Sequence, residues 1–79
     1  MTKSEVVAAI RKGLVVEHCG VWYDPKGYNY TAIRETGEEL HFLFLEDLYT
    51  KKFEIVRLEE CRIVKGKIVV DGKVQNIRG

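Results

Sequence analysis

The side chains that could carry out catalysis are few, and none lies in a pattern typical of an active site. Five residues carry a Ser or Thr hydroxyl group: Thr2, Ser4, Thr31, Thr36 and Thr50. None of them lies in the sequence context of a nucleophile elbow. His18 and His41 are the candidate bases, but neither takes part in a Ser/His/Asp or Cys/His spacing. The adjacent acids at 38–39, 46–47 and 59–60 would point to opposite faces of a strand, whereas an acid/base pair needs convergent carboxylates. We therefore expect no enzymatic activity and no catalytic residues.

The side chains with nitrogen or sulfur ligands for a metal ion are His18, Cys19, His41 and Cys61. In a strand, His18 and Cys19 would point in opposite directions, and no Cys-x-x-Cys or His-x-x-x-His pair is present. Isolated cysteines of this kind are usually buried and pack as small hydrophobic side chains. Lys65-Gly66-Lys67 has the composition of a solvated turn rather than of a phosphate-binding loop. The sequence thus predicts no metal site and no cofactor.

Aromatic side chains are the stronger candidates for binding. The phenylalanines are most simply core residues: Phe42, Phe44 and Phe53. The amphipathic aromatic residues are Trp22, Tyr23, Tyr28, Tyr30 and Tyr49. Rings of this type stack on nucleobases or hold a peptide, but Lys26 and Arg34 are the only nearby bases to neutralise phosphates. We expect most of these rings to serve in core or cross-strand packing, and Trp22 to be the exposed contact residue.

Charge is distributed unevenly along the chain, although the net charge is only +1. Residues 35–60 contain eight acidic and three basic side chains, whereas residues 61–79 contain five basic and one acidic. The acids that we expect to contact a basic partner surface are Glu38, Glu39, Glu46 and Asp47. The alternative is that both segments are solvated faces of edge strands, which charged side chains protect from aggregation.

One helix is predicted, over residues 4–12. Ser4 can cap it, Glu5 suits the positive end of its dipole, and the apolar residues between 6 and 10 form a stripe. Gly13 supplies the left-handed residue that ends it. A helix this short is not stable alone in water, so we expect it to pack on the rest of the chain.

Residues 14–77 have the alternation and the turn residues of β-strands. Asp24-Pro25-Lys26-Gly27 is typical of a type I turn, and residues 46–52 form a polar connection. Further turns are predicted at Lys65-Gly66 and, more strongly, at Asp71-Gly72. Between them, Phe53 and Ile55 alternate with Val56 and Leu58 on the two sides of a strand.

The hairpin around Gly37 has a predicted register. A three-residue loop at 35–37 with a left-handed Gly37 places residue 30 opposite 42 and residue 32 opposite 40. Tyr28 and Tyr30 then share a face with Phe42 and Phe44, and His41, Leu43 and Leu45 occupy the other face.

The length of 79 residues corresponds to one domain, 1–79, with a thin core. About six short strands and one helix predict a mainly β (α+β) fold, with the helix on a small, strongly bent antiparallel sheet or an SH3-like or OB-like barrel. No apolar stretch is long enough for a membrane span or a secretory signal, so we expect no membrane partner. Two cysteines are too few for a disulfide scaffold, which favours reduced thiols and a cytoplasmic location.

Two blocks of sequence carry a resemblance to a known family. The first runs from Ile10 to Val16 as Ile-Arg-Lys-Gly-Leu-Val-Val, with Gly20-Val21-Trp22-Tyr23 after it, and the second is the Glu46–Val56 stretch EDLYTKKFEIV. They are similar to small phage-encoded β-rich proteins that include anti-Thoeris and anti-CRISPR members. Phe53 stands where that family has Trp, Lys52 where it has Asp, and Val16-Glu17-His18 where it has a basic strand. The resemblance implies a homo-oligomeric, non-enzymatic antagonist of host defence, which in some members sequesters a cyclic nucleotide.

The favoured hypothesis for function is a cytoplasmic, non-enzymatic module that binds and inhibits a host protein, encoded by a phage or mobile element. One alternative is a small barrel that binds single-stranded nucleic acid or a nucleotide through Trp22, Tyr23, Tyr28 and Tyr30. Another is a self-assembling structural subunit with the hairpin 67–77 as its edge.

Overall fold

The structure, a computed structural model, describes residues 1–77 and contains one α-helix and a six-stranded antiparallel sheet. The elements are α1 (Lys3–Lys12), β1 (Leu14–His18), β2 (Val21–Ala32), β3 (Glu39–Asp47), β4 (Phe53–Arg57), β5 (Arg62–Val70) and β6 (Lys73–Asn76). The strand order is β4-β3-β2-β1-β5-β6, and the sheet curls into a half-barrel. These elements confirm the predicted mainly β class with a short helix on a strongly bent sheet. The end of the predicted 1–79 domain, including Arg78 of the basic segment, lies outside the described residues.

Helix α1 begins one residue earlier than predicted because Thr2, not Ser4, caps it. The Thr2 hydroxyl accepts the backbone N–H of Glu5 at 3.2 Å, and the Glu5 carboxylate accepts that of Thr2 at 3.0 Å. Gly13 ends the helix in the left-handed conformation, as predicted, with φ of 71°. A Cβ atom at this position would lie 3.0 Å from the Val69 carbonyl oxygen, so both the backbone and the packing require glycine. In the part of the chain described, no helix has the length and apolarity to cross a membrane.

The two faces of the sheet differ because α1 packs on one of them. The buried cluster beneath the helix consists of Val6, Val16, Tyr23, Leu43, Leu45, Val56, Leu58 and Cys61. We call the face that carries the strand residues of this cluster the inner face, and the opposite face the outer face. Because side chains alternate along a strand, the outer face of β3 carries Phe42 and Phe44.

The register of the β2–β3 hairpin differs by one residue from the prediction. Tyr30 lies opposite His41 and Ala32 opposite Glu39, where positions 42 and 40 were predicted. The reason is a four-residue loop, 34–37, closed by a 2.8 Å hydrogen bond from the Ile33 N–H to the Glu38 carbonyl. Gly37 is left-handed as predicted, but the even loop length reverses the parity of the pairing. Tyr28 and Tyr30 therefore share the inner face with His41, Leu43 and Leu45, not with the two phenylalanines.

Residues 24–27 form no turn, and β2 runs through them. Pro25 pairs with Leu45, Gly27 pairs with Phe44, and the register shifts by one residue between these two pairs. Proline lacks a backbone donor and is tolerated in a sheet at such a bulge. The turn signal of this tetrapeptide therefore marks an irregularity within a long strand.

The other predicted turns divide into two outcomes. Asp71 and Gly72 form the predicted tight hairpin between β5 and β6, with φ of 52° and 76°. Lys65-Gly66 is not a turn, since β5 continues through it with Gly66 at φ of 77° where the pairing with β1 is irregular. The predicted polar connection begins later than expected, because Glu46 and Asp47 still belong to β3 and the turn covers 48–50.

Candidate binding surfaces

Strand β4 is an edge of the sheet with two exposed apolar side chains. Within residues 1–77 it pairs with β3 on one side and with no strand on the other. Phe53 is 65% exposed and Ile55 is 64% exposed, whereas Val56 and Leu58 are buried in the core cluster. The predicted alternation is confirmed, but the prediction of Phe53 as a core residue is wrong. Its side chain projects from the face that the helix does not cover.

Phe53 and Ile55 belong to a larger apolar area on the outer face. Across the β3–β4 pair, Ile55 lies opposite Phe44, and Arg57 lies opposite Phe42. On the next strand, the ring of Phe44 lies over Gly27, where a Cβ atom would be 3.1 Å from its Cδ2. Neither Phe42 nor Phe44 belongs to the core cluster predicted for them; both are half-buried. We call Phe42, Phe44, Phe53 and Ile55 the outer patch.

The backbone of β4 presents alternate hydrogen-bonding groups to the open edge. The Asp47 N–H donates to the Lys52 carbonyl at 2.9 Å, so this pair is a hydrogen-bonded pair of the β3–β4 ladder. On the other side of β3, Leu48 donates to the Trp22 carbonyl at 3.5 Å, as the alternation of an antiparallel ladder requires. By the same alternation, Glu54 and Val56 bond to β3. Phe53, Ile55 and Arg57 direct their N–H and C=O groups outward.

Tyr23, predicted as a contact residue, lies in the core. It is 4% exposed, and its hydroxyl donates to Oε2 of Glu54 at 3.1 Å. Burial, and then the hydrogen bond to Glu54, raise the pKa of this phenol. Tyr23 thus fixes the inner side of β4 and is not available to a ligand.

Three of the predicted site residues meet around His41 near the tip of the β2–β3 hairpin. The ring of Tyr28 stacks on His41 with centroids 5.8 Å apart, and its hydroxyl is within hydrogen-bonding distance of Nδ1. Tyr30 is tilted against the same imidazole at 5.0 Å and donates to Glu39 Oε1 at 2.6 Å. That hydrogen bond raises the pKa of the Tyr30 phenol. His41, a candidate base or metal ligand by residue type, packs between two tyrosine rings.

Trp22 lies apart from these tyrosines, in a groove of about 620 Å³ where three turns meet. Its lining residues are Gly20, Val21, Trp22, Leu48, Tyr49, Gly72, Lys73 and Val74. Trp22 is 38% exposed, which agrees with its predicted exposure, and Tyr49 is 95% exposed. Lys51 Nζ donates to the Gly72 carbonyl at 3.3 Å and joins the β3–β4 turn to the β5–β6 turn. We call this the turn groove.

The four acids predicted to form one binding face are split between the two ends of β3. Glu38 closes the hairpin loop and Glu39 begins the strand, whereas Glu46 and Asp47 end it. Glu46 lies seven residue steps along the strand from Glu39, about 23 Å at ~3.3 Å per step. The structure therefore contains two acidic sites and no continuous acidic face across these residues.

Asp47 has a local structural role. Its Oδ1 atom accepts the backbone N–H groups of Tyr49 at 2.7 Å and Thr50 at 3.1 Å. These two hydrogen bonds hold the pKa of its carboxyl below the usual value. Asp47 thus orders the turn that presents Tyr49 to the turn groove.

The cysteines and histidines do not converge on one point. Among the residues described, no three His, Cys, Asp or Glu side chains are grouped so that they could hold a metal ion. Cys19 is exposed in the β1–β2 turn, with its sulfur 3.4 Å from Nε2 of His18, so the prediction of a buried thiol is wrong there. Cys61 is buried as predicted, and burial raises the pKa of its thiol to about 11. Its thiolate is therefore scarce at neutral pH.

Compared with protein-family models, curated proteins and solved structures, the chain matches no family, no protein and no structure. Its candidate sites therefore rest on its own geometry.

The role of Asp47 can be tested by stability. We expect Asp47→Ala to lower the melting temperature at pH 7 by about 4–8 °C, as for loss of one cap in a domain of this size. Because a lowered carboxyl pKa stabilises the fold only above that pKa, the difference from wild type should shrink as pH falls below about 4. Asp47→Asn, which keeps an oxygen acceptor, should be less destabilised. Equal melting temperatures for wild type and Asp47→Ala in thermal unfolding would exclude this role.

Proposed function

We propose that the chain is a non-enzymatic binding module and that a protein partner docks on the outer patch beside the open edge of β4. The observation that carries this proposal is the exposure of Phe53 and Ile55 on an edge strand. Large apolar side chains grouped on an exposed face are typical of interaction sites. Aromatic residues are also enriched among the residues that contribute most to protein interfaces.

The contrast between the two edges of the sheet supports a specific role for β4. Edge strands are usually short, charged or covered, because an exposed apolar edge promotes aggregation. The opposite edge, β6, follows this rule more closely: it has four residues, Lys73–Asn76, its half-buried Val74 is flanked by exposed polar side chains, and one exposed apolar residue, Ile77, comes after it. Strand β4 has Phe53 and Ile55 at the corresponding exposed positions, so an apolar contact surface is retained there despite its cost.

Glu46, at the rim of the outer patch, favours a partner with a basic group at the matching position. Glu46 lies directly opposite Phe53 on the outer face, whereas Asp24, opposite Glu46 on the next strand, is buried and already paired with Lys26 at 3.0 Å. Charged groups at a rim mainly steer association and select the partner. Under this proposal the acidic contribution comes from the Glu46 end of β3, while Glu38 and Glu39 lie about 23 Å away. The resemblance to phage-encoded antagonists suggests that the partner is a host protein that the chain inhibits by occupying its surface.

Capture experiments with matched variants test this proposal. Phe53→Glu replaces an exposed ring of the outer patch with a charge, and Tyr49→Glu makes the same change in a turn outside the patch. Loss of a ring that the partner buries in the complex should weaken partner binding at least about tenfold. We expect immobilised wild type and Tyr49→Glu to retain the same protein from a bacterial lysate, and Phe53→Glu to lose it. Equal retention by all three chains, quantified by mass spectrometry, would contradict the proposal.

A second candidate function rests on the turn groove. Trp22 and Tyr49 there offer aromatic surfaces, and Lys73 lines the same groove. A base can stack on such rings while a phosphate approaches the ammonium group. The turn groove is a better nucleotide site than the four aromatic residues predicted from the sequence. Of those four, Tyr23 is buried, and Tyr28 and Tyr30 pack around His41, away from Trp22.

Fluorescence of the single tryptophan tests the nucleotide hypothesis. A nucleotide in the turn groove should quench Trp22, and Tyr49→Ala should weaken binding about tenfold because one stacking surface is lost. Tyr30→Ala, which removes a ring outside the groove, is the matched control and should bind as wild type does. The measurement is a titration of Trp22 emission with linear and cyclic mononucleotides at low salt, which gives the dissociation constant of each chain. An unchanged emission spectrum up to millimolar ligand would exclude this function.

A further inference from the structure

The open edge of β4 has a sequence that is complementary to itself. Its five residues are Phe53-Glu54-Ile55-Val56-Arg57. If a second strand of the same sequence is placed antiparallel with Ile55 opposite Ile55, each Phe53 lies opposite an Arg57. Two apolar side chains then meet at the centre, and each end carries an arginine against an aromatic ring, which is a favourable pairing.

We propose that a second copy of this chain pairs with β4 in this register, with a twofold axis passing between the two Ile55 residues. The proposal goes beyond the binding function above, because it concerns the backbone edge of β4 rather than the docking of a foreign protein. It joins two six-stranded sheets into one continuous sheet. The interface is of the self-complementary type that twofold symmetry requires.

The hydrogen-bonding groups of the edge fit this register. Phe53, Ile55 and Arg57 direct their N–H and C=O groups outward, because the Asp47–Lys52 bond sets the alternation along β4. In the proposed pairing these same residues face each other, and each facing pair exchanges two hydrogen bonds. No outward group of the strand is left without a partner. Glu54 and Val56, which bond to β3, are not required to bond outward.

Neighbouring registers are less favourable. A twofold axis perpendicular to the sheet keeps the outer faces of both copies on one side, so the central residue must face itself. With Glu54 at the centre, two carboxylates would lie opposite each other, which is destabilising. With Val56 at the centre, Phe53 would lie opposite Glu59, which is in the 3₁₀ turn Leu58–Glu60 rather than in a strand. The Ile55-centred register alone pairs all five strand residues without opposing like charges.

Pairing in this way would also enlarge the apolar surface available to a partner. The outer patches of the two copies would lie side by side on the same face, and the Phe53 and Ile55 residues of both copies would lie in the middle of the combined patch. Arg57, which now forms a 2.9 Å ion pair with Glu59, is 45% exposed in its side chain and accessible for the Phe53 of the second copy. The dimer therefore combines a closed backbone edge with a doubled outer patch.

Sedimentation equilibrium across a wide concentration range tests the proposal. We expect wild type to reach a mass twice the 9.1 kDa of one chain. Ile55→Lys places two ammonium groups at the axis and should raise the dissociation constant about 100-fold. Tyr49→Lys, a change outside the edge, should leave it unaltered. Circular dichroism confirms that both variants remain folded, and a wild type that stays monomeric to millimolar concentration overturns the proposal.

Cross-linking tests the register. In a chain with Cys19→Ser, Ile55→Cys should form an intermolecular disulfide readily, because facing residues of such a pair are about 5.5 Å apart between Cα atoms. Arg57→Cys is the matched control: in this register the two substituted positions are four residues apart, about 14 Å. Equal cross-linking of the two variants, or faster cross-linking of Arg57→Cys, overturns the proposed pairing.

The Phe53→Glu variant separates this proposal from the proposed function. Its carboxylate would face Arg57 of the second copy, so we expect it to dimerise while it loses the foreign protein. If wild type is monomeric and only Phe53→Glu fails to capture the foreign protein, the dimer is overturned and the proposed function is supported. If wild type is dimeric and both chains capture the same proteins, the dimer is supported and the proposed function is contradicted.

Discussion

The closure of the β2–β3 hairpin by the Ile33 N–H and the Glu38 carbonyl is the constraint on which both faces of the sheet depend. Because side chains alternate along each strand, this one pairing determines which residues of β3 join the core cluster that contains Val6 of α1. It places Leu43 and Leu45 in the core and Phe42 on the outer face. The same alternation passes to β4, where it buries Val56 and exposes its neighbours.

The inner and outer sides of β4 have different roles as a consequence. On the inner side, Val56 packs in the core and Glu54 accepts the hydroxyl of the buried Tyr23, so the strand is held firmly. On the outer side, Phe53 and Ile55 add apolar area to an edge whose backbone groups point away from β3. A well-anchored strand with an apolar exterior and unpaired backbone groups is suited to binding another protein surface.

The sequence predicted the features that depend on neighbouring residues. Gly13 as the helix end, Asp71-Gly72 as a hairpin and the alternation of β4 all follow from local chemistry, and all are confirmed. The predictions that failed depended on how the strands pair, which residue types alone do not determine. Loop length at Gly37 decided the register, a bulge absorbed Pro25, and the exposure of Phe53 followed from the position of β4 at the sheet edge. The outer patch was missed because alternation identifies two faces but not which one the helix covers.

Amide hydrogen exchange measured residue by residue along β4 tests the central claim most directly, namely that this edge is open and its outward groups alternate. In dilute solution, the amides of Glu54 and Val56 should be protected, whereas those of Phe53, Ile55 and Arg57 should exchange rapidly. At high concentration, Ile55 should gain protection as a second copy pairs with it. Protection of Ile55 at every concentration, or protection of Phe53 and Arg57 in place of Glu54 and Val56, would contradict the account.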